Sequence, residues 1–227
     1  IYKWLALNSY DSSIQLAKER GSFPVWDYEK EKNHPFLSRI LNELMPHIKE
    51  DYRKYGRRNI ANTTTAPAGS VSVLTQTTSG IEPAFMLHYT RRKKLTENDI
   101  DARVDFVDDS GDEWQEYTVY HHEFKNWINS TINTGEMNAT VEYTDEDLVK
   151  MSPYFNSTAN EIDWVNKVKL QSVAQKWVCH AISNTTNLPA DIDVETVKDV
   201  YMTGWKLGCK GVTVYRDGCR TGVLVTK

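Results

Sequence analysis

ISNTTNLPADIDVETVKDVYMTGWKLGCKGVTVYR (182–216) reads as strand, helix, strand. ISNTTNLP is β-branched and stops at Pro189, which has no N–H to give to a ladder. Asp193 to Leu207 is amphipathic and ends at Gly208. GVTVYR is a second, apolar strand, and DGCRTG (217–222) is a turn. Two strands joined through one helix by short connections predict α/β architecture with parallel strands.

The same alternation extends outward. Upstream, Asp163 to Ala181 reads as a helix with Val165, Val168, Val173, Ala174, Trp177 and Val178 largely on one face. Thr144 opens a helix through the capping sequence TDED, which runs to about Pro153. Glu123 to Asn129 is a shorter helical piece. Near the start, Tyr10 to Arg20 is helical and Gly21 ends it. Pro35 begins a long amphipathic helix carrying Phe36, Leu37, Ile40, Leu41, Leu44, Met45 and Ile48. Pro46 is a kink point, and Gly56 marks the end. NIANTTT (59–65) and FMLHYTRRK (85–93) read as strands. Asp99 to Glu116 is acidic and aperiodic, a surface loop or small hairpin inserted at about 97–120. There is no internal repeat.

Composition narrows the function classes. The chain has 227 residues and a formal net charge of −4, which argues against a broad electrostatic grip on nucleic acid. Seven Trp and twelve Tyr allow a substantial core. No apolar run is long enough to span a bilayer. Cys179, Cys209 and Cys219 form no CxxC pair and no zinc spacing with the six histidines, so a reducing, cytoplasmic setting and no metal site are expected. The Asn-x-Ser/Thr matches at Asn62, Asn129, Asn138, Asn156 and Asn184 are discounted as chance in an Asn- and Thr-rich chain. The start, IYKWLALNSY, has neither an initiator Met nor a signal pattern, so a piece of a longer polypeptide is expected.

APAGSVSVL (66–74) raises the question of an anion close to the backbone. A helix start leaves backbone N–H groups unpaired and favours negative charge. Ala68 and Gly69 would let a phosphate oxygen approach the backbone, Ser70 could donate a hydroxyl or cap the helix, and Pro67 fixes the entry. On residue types alone, a plain strand–turn–helix connection with Ser70 as N-cap explains the stretch as well. Neither a Walker loop nor GxGxxG is present. Arg57-Arg58 and Arg91-Arg92 read as solvated surface pairs. His88 reads as a satisfied core residue, and Cys179 as a small core residue late in a helix.

Four separated segments then carry a family resemblance: LAKERGSFP (16–24), RRNIANTTTAPAGSVSVLTQTTSGIEPAFMLHYTRR (57–92), AISNTTNLP (181–189) and LGCKGVTVYRDGCR (207–220). Together they resemble, in order, the C-terminal part of the catalytic α chain of adenosylcobalamin-dependent (class II) ribonucleotide reductases. The resemblance implies the C-terminal portion of a ten-stranded α/β barrel and radical conversion of ribonucleotides to deoxyribonucleotides.

It also implies site residues. Pro67, Ala68, Gly69, Ser70 and Val71 would form the loop that holds the phosphates of a ribonucleoside di- or triphosphate. Ala68 departs from the family's hydroxyl residue, so one side-chain contact is missing. Glu82, Asn187 and Tyr215 match positions expected to line the barrel. With a cobalamin radical source, Tyr215 needs no role in radical conduction. The family's Asn-x-Cys-x-Glu radical motif is absent, so the chain is expected to depend on the N-terminal remainder of the reductase and to be inactive alone. Cys209 and Cys219 are read as structural. A homodimer is compatible with the resemblance; nucleic-acid and membrane partners are not expected. A non-catalytic nucleotide- or phosphate-binding module, and the C-terminal piece of a split reductase, are the competing readings.

Overall fold

A computed structural model describes residues 1–96, 99 and 102–219. In chain order its elements are α1 (Tyr2–Arg20), α2 (Tyr28–Glu31), α3 (Pro35–Glu43), α4 (Pro46–Tyr55), α5 (Gly69–Thr75), β1 (His88–Lys94), β2 (Phe106–Val107) and β3 (Glu113–Tyr120). They continue as α6 (His122–Asn133), α7 (Asp145–Met151), α8 (Trp164–Gln175), β4 (Thr185–Leu188), α9 (Val194–Lys206) and β5 (Thr213–Arg216). The described residues divide into two compact units, Ile1–Ala68 with Asp163–Cys219, and Gly69–Ile162. Both combine helix and sheet, and no closed barrel is present among the described residues.

In the first unit, β4 and β5 pair in parallel, as the strand–helix–strand reading requires, with Thr185 opposite Thr213 and Leu188 opposite Arg216. Leu188, Val168 of α8 and Val200 of α9 form a buried cluster, with Val212 and Val214 packed against it. Gly204 permits the close approach of α9: a Cβ there would lie 2.3 Å from a Val212 methyl. Asp193 caps α9 by accepting from the Thr196 N–H at 2.6 Å.

Helix α8 differs from its expected form. It ends at Gln175 rather than Ala181, because the Gln175 amide donates to the carbonyls of Val178 and His180 at 2.9 and 2.8 Å and draws the following chain into a turn. Its inward face is partly polar. Gln171, Ser172 and Gln175 are buried, whereas Val173 is 57% exposed. Gln171 donates to the Gly211 carbonyl at 2.7 Å and accepts from Asn184 at 3.3 Å, tying α8 to the chain entering each strand. Apolar periodicity is blind to such a face.

Helix α1 starts at Tyr2, eight residues before the expected Tyr10, since Ala6, Leu7, Tyr10, Ile14 and Ala17 repeat at helical spacing and are all buried. The long helix expected from Pro35 is two helices. Leu44 and Met45 are extended, because a proline drives the residue before it out of helical geometry.

The strand expected at 59–65 contracts to one parallel bridge between Thr65 and Ile182. Side chains occupy the backbone groups that a ladder would use. The buried Arg57 donates through one Nη to the carbonyls of Asn59 and Ile60, at 2.7 and 2.6 Å. Its other nitrogens grip Glu31 at 3.1 and 2.6 Å, and Glu31 also accepts from Tyr52 at 2.8 Å and Trp26 at 3.2 Å. Arg57 is thus an interior ion-pair hub rather than half of a surface pair.

Cys179 lies beyond the end of α8 and is more than a core filler. Its sulfur accepts the N–H groups of Asn62 and Thr63, both at 3.1 Å. Burial pushes this thiol up, but hydrogen bonds from Thr63, Asn62 and Tyr10 outweigh burial and hold it below its ordinary value. Burial alone acts on Cys209, which is pushed up.

The second unit is antiparallel, not parallel. Its sheet order is β1-β3-β2, with His88 opposite Tyr120 and Lys94 opposite Trp114. The acidic stretch thereby forms the hairpin alternative, β2–β3, and its charge has a partner in the basic β1: Arg92 pairs with Glu116 at 2.9 Å, and Lys94 with Asp112. Leu87, Phe124, Met137 and Leu148 form the core below it. His88 is half-buried, 3.7 Å from Asp145. Thr144 and Asp147 complete the capping box that TDED predicts. Residues 97, 98, 100 and 101 of the acidic stretch, and 220–222 of the predicted final turn, lie outside the described residues.

Two outcomes follow from the Arg57 and Cys179 contacts. Burial would raise the Glu31 carboxyl, yet its bonds to Arg57, Tyr52 and Trp26 prevail and lower it. A depressed carboxyl contributes stability that is complete above its unfolded value and lost as pH falls through its folded one. Glu31→Gln should therefore cost about 3 kcal/mol at neutral pH, and urea titrations should show the gap from the parent closing below about pH 4. A gap that stays constant would mean that the ion pair contributes nothing. In a Cys219→Ser background, iodoacetamide at about pH 7.5 should modify Cys179 before Cys209, as read by peptide mass spectrometry. The reverse order would contradict the hydrogen-bonded sulfur.

Candidate functional site

The parallel pairing of β4 and β5 brings two of the predicted residues together. Asn187 stands directly opposite Tyr215 in the register. Side chains alternate along a strand, so Asn187 and Tyr215 share the face opposite Leu188 and Val214, the residues packed with α8 and α9. Asn187 and Tyr215 are both half-buried, whereas Thr186 and Leu188 are buried. A strand end carrying an amide and a phenol on the face away from Leu188 and Val214 is where α/β folds gather polar groups for binding.

Pro67 and Ala68 close the first segment of the first unit, and Gly69, Ser70 and Val71 open the second unit. The segment leading to Pro67 is held from several sides. The Thr63 carbonyl accepts from the His180 N–H at 3.1 Å, and the Thr65 carbonyl from the Ser183 N–H at 2.9 Å. Pro67 is exposed and Ala68 half-buried.

Helix α5 begins at Gly69, so Ser70 lies within its first turn and is not the N-cap. The N–H groups of that turn have no acceptor inside the helix. Gly69 and Ser70 are exposed, and Val71 is 59% exposed. Among the described residues, a Cβ on Gly69 would meet nothing within 4 Å, so none of them demands glycine there by packing. The Ser72 hydroxyl donates to the Gly69 carbonyl at 2.8 Å and the Thr75 hydroxyl to the Val71 carbonyl at 2.9 Å, closing a short seven-residue helix on itself.

Glu82 belongs to the second unit, half-buried in the turn where its N–H donates to the Ser79 carbonyl at 3.0 Å. Neither of two surface hollows includes any of these residues. One, of about 400 Å³, is lined by Thr90, Arg103, Glu116 and Tyr117, and the other, of about 470 Å³, by Ile1, Trp4 and Leu5. Arg57 and Cys179 escape sequence reading because a charge pair and an isolated cysteine have no periodicity. Only the distant partner, 26 residues away for Arg57 and 116 for Cys179, reveals their roles. Among the described residues, no helix is long and apolar enough to cross a membrane.

Comparison with known proteins agrees with the four-segment resemblance. The sequence profile of the ribonucleotide reductase barrel domain matches residues 1–215. A vitamin B12-dependent ribonucleoside-diphosphate reductase of Thermoplasma acidophilum is 28% identical over 96% of this chain and 24% of its own length. One of Mycobacterium tuberculosis (strain CDC 1551 / Oshkosh) is 30% identical over 96% of this chain and 27% of its own. A vitamin B12-dependent ribonucleotide reductase of Rhodopirellula baltica is 29% identical over 81% of this chain and 18% of its own. The chain thus spans about a quarter of the length of the first two relatives. With a match that runs from Ile1 to Tyr215 and takes in every predicted site residue, this chain belongs to the ribonucleotide reductase barrel-domain family.

Proposed function

We propose that this chain is the C-terminal part of the catalytic α chain of an adenosylcobalamin-dependent ribonucleotide reductase and supplies its substrate-phosphate loop. The observation that carries this reading is the barrel-domain match across residues 1–215, together with relatives that are named vitamin B12-dependent reductases. In this reading residues 1–227 are one part of the barrel, and the hairpin region at about 97–120 is an insertion in it. The shared face of Asn187 and Tyr215, away from Leu188 and Val214, supports a barrel-lining position for both; for Glu82 the same position rests on the family motif alone.

Pro67, Ala68, Gly69, Ser70 and Val71 receive the phosphates of a ribonucleoside di- or triphosphate. Exposed amides in the first turn of α5 donate to phosphate oxygens, and the Ser70 hydroxyl adds one donor. Ala68 gives none, so backbone donors carry more of the binding than in relatives with a hydroxyl there. The ribose then points toward chemistry that this chain does not hold, since no Asn-x-Cys-x-Glu occurs in it.

Adenosylcobalamin supplies the initiating radical when bound to the complete enzyme. Its contacts are not assigned to residues of this chain; the remainder of the polypeptide is the expected partner, within an enzyme of the cytoplasm.

In the complete enzyme, Ser70→Asp sets a carboxylate where phosphate oxygens would lie. It should abolish nucleoside-diphosphate binding in a calorimetric titration, and unchanged affinity would refute the loop assignment. Tyr215→Phe keeps the ring and removes the hydroxyl. With a cobalamin radical source, kcat should stay within about threefold of the parent, under 1 kcal/mol in barrier. A loss of several orders of magnitude would make Tyr215 a radical carrier and remove this class assignment.

A further inference from the structure

The fold contains an interior ion pair that the proposed chemistry does not use. Arg57 is 7% exposed. Its guanidinium is stacked 4.9 Å from the Phe23 ring and bound on two nitrogens by Glu31. Glu31 in turn is fixed by Tyr52 and Trp26. Such a pair is weak evidence for stability alone, because removing two charges from water offsets much of their attraction. Its remaining contacts are more informative. One Nη reaches two successive carbonyls, Asn59 at 2.7 Å and Ile60 at 2.6 Å. The Arg57 backbone joins in, its carbonyl accepting from the Phe23 N–H at 3.2 Å.

The chain after these carbonyls is held in the same manner. Asn59 exchanges hydrogen bonds with the Ser13 hydroxyl, at 3.0 and 3.1 Å. Asn62 and Thr63 donate to Cys179, and Thr63 and Thr65 accept from His180 and Ser183. Residues 59–65 therefore have a fixed course without belonging to a sheet, and they lead directly into Pro67 and Ala68. Arg57 starts this course. A guanidinium can span Glu31 and two carbonyls at once because its donors form a rigid planar fork, which a lysine ammonium cannot reproduce.

We propose that Arg57, held by Glu31, is a positioning residue that sets the entry of the substrate-phosphate loop, acting through residues 59–65 without touching substrate. The proposal rests on the phosphate-loop reading of residues 67–71. Since phosphates bind remotely from the ribose carbons that react, a displaced loop weakens ground-state and transition-state binding alike. Its signature is a raised KM with kcat preserved.

The test is steady-state kinetics of the complete reductase with a ribonucleoside diphosphate, on Arg57→Lys and Glu31→Gln, beside Ser70→Asp. Arg57→Lys should raise KM about tenfold, the equivalent of one lost charge-assisted hydrogen bond, with kcat within about threefold. Hydrogen exchange across residues 59–65 should quicken in the same variant. Glu31→Gln, which keeps the fork but frees its far side, should raise KM by less; it carries the test if Arg57→Lys does not fold. An unchanged KM in both variants while Ser70→Asp abolishes binding would overturn the role of Arg57 and leave the loop reading intact. An unchanged KM in all three would overturn both. A fall in kcat at constant KM would also overturn the proposal, since it would reflect general damage instead of loop entry.

Discussion

A backbone segment that leaves a sheet must still find partners for its amides and carbonyls, and in this protein side chains provide them. Residues 57–65 pass between α4 and the loop at Pro67 with only one ladder bridge. Arg57 takes two of the carbonyls and Cys179 takes two of the amides. Further contacts come from Ser13 of α1, from Phe23, and from the chain entering β4 at His180 and Ser183. Residues distant in sequence thereby converge on nine consecutive positions, and Pro67 and Ala68, which follow in the same unit, inherit their starting point from that convergence.

The parallel pair β4–β5 applies the same constraint in a more regular form. Its ladder satisfies the backbone, and its alternation separates a face packed with α8 and α9 from one that carries Asn187 and Tyr215. Gln171 extends the arrangement by linking Asn184 and Gly211 across the approaches to both strands. A buried amide in that role needs partners to be tolerated, and Gln171 has one on its oxygen and one on its nitrogen.

The second unit follows different physics. Its β1 is one of the most basic stretches of the chain and would be a poor edge strand alone, but the acidic hairpin lies beside it and pairs charge with charge. The acidity of that stretch is thus a local requirement of the sheet. These exposed pairs add little individually, and the burial of Phe124 among Leu87, Met137 and Leu148 holds the unit together.

The sequence by itself determined what short-range physics controls: the strand–helix–strand order at 182–216, a disturbance of the helix at Pro46, the Thr144 cap, and a small-residue connection at 66–68 ahead of a helix. It also carried the family, because four segments in fixed order are a linear property. Tertiary structure alone decided what depends on a distant partner. Periodicity gave α8 too long an extent because the Gln175 turn is made by side-chain bonds, and it placed Val173 inward where Gln171 and Ser172 are buried instead. It gave a strand at 59–65 because β-branched residues favour extension, whereas ladder membership depends on whether Arg57 and Cys179 have already occupied the backbone. Arg57 itself read as surface, since only the fold brings Glu31 within 2.6 Å and makes burial of that charge tolerable.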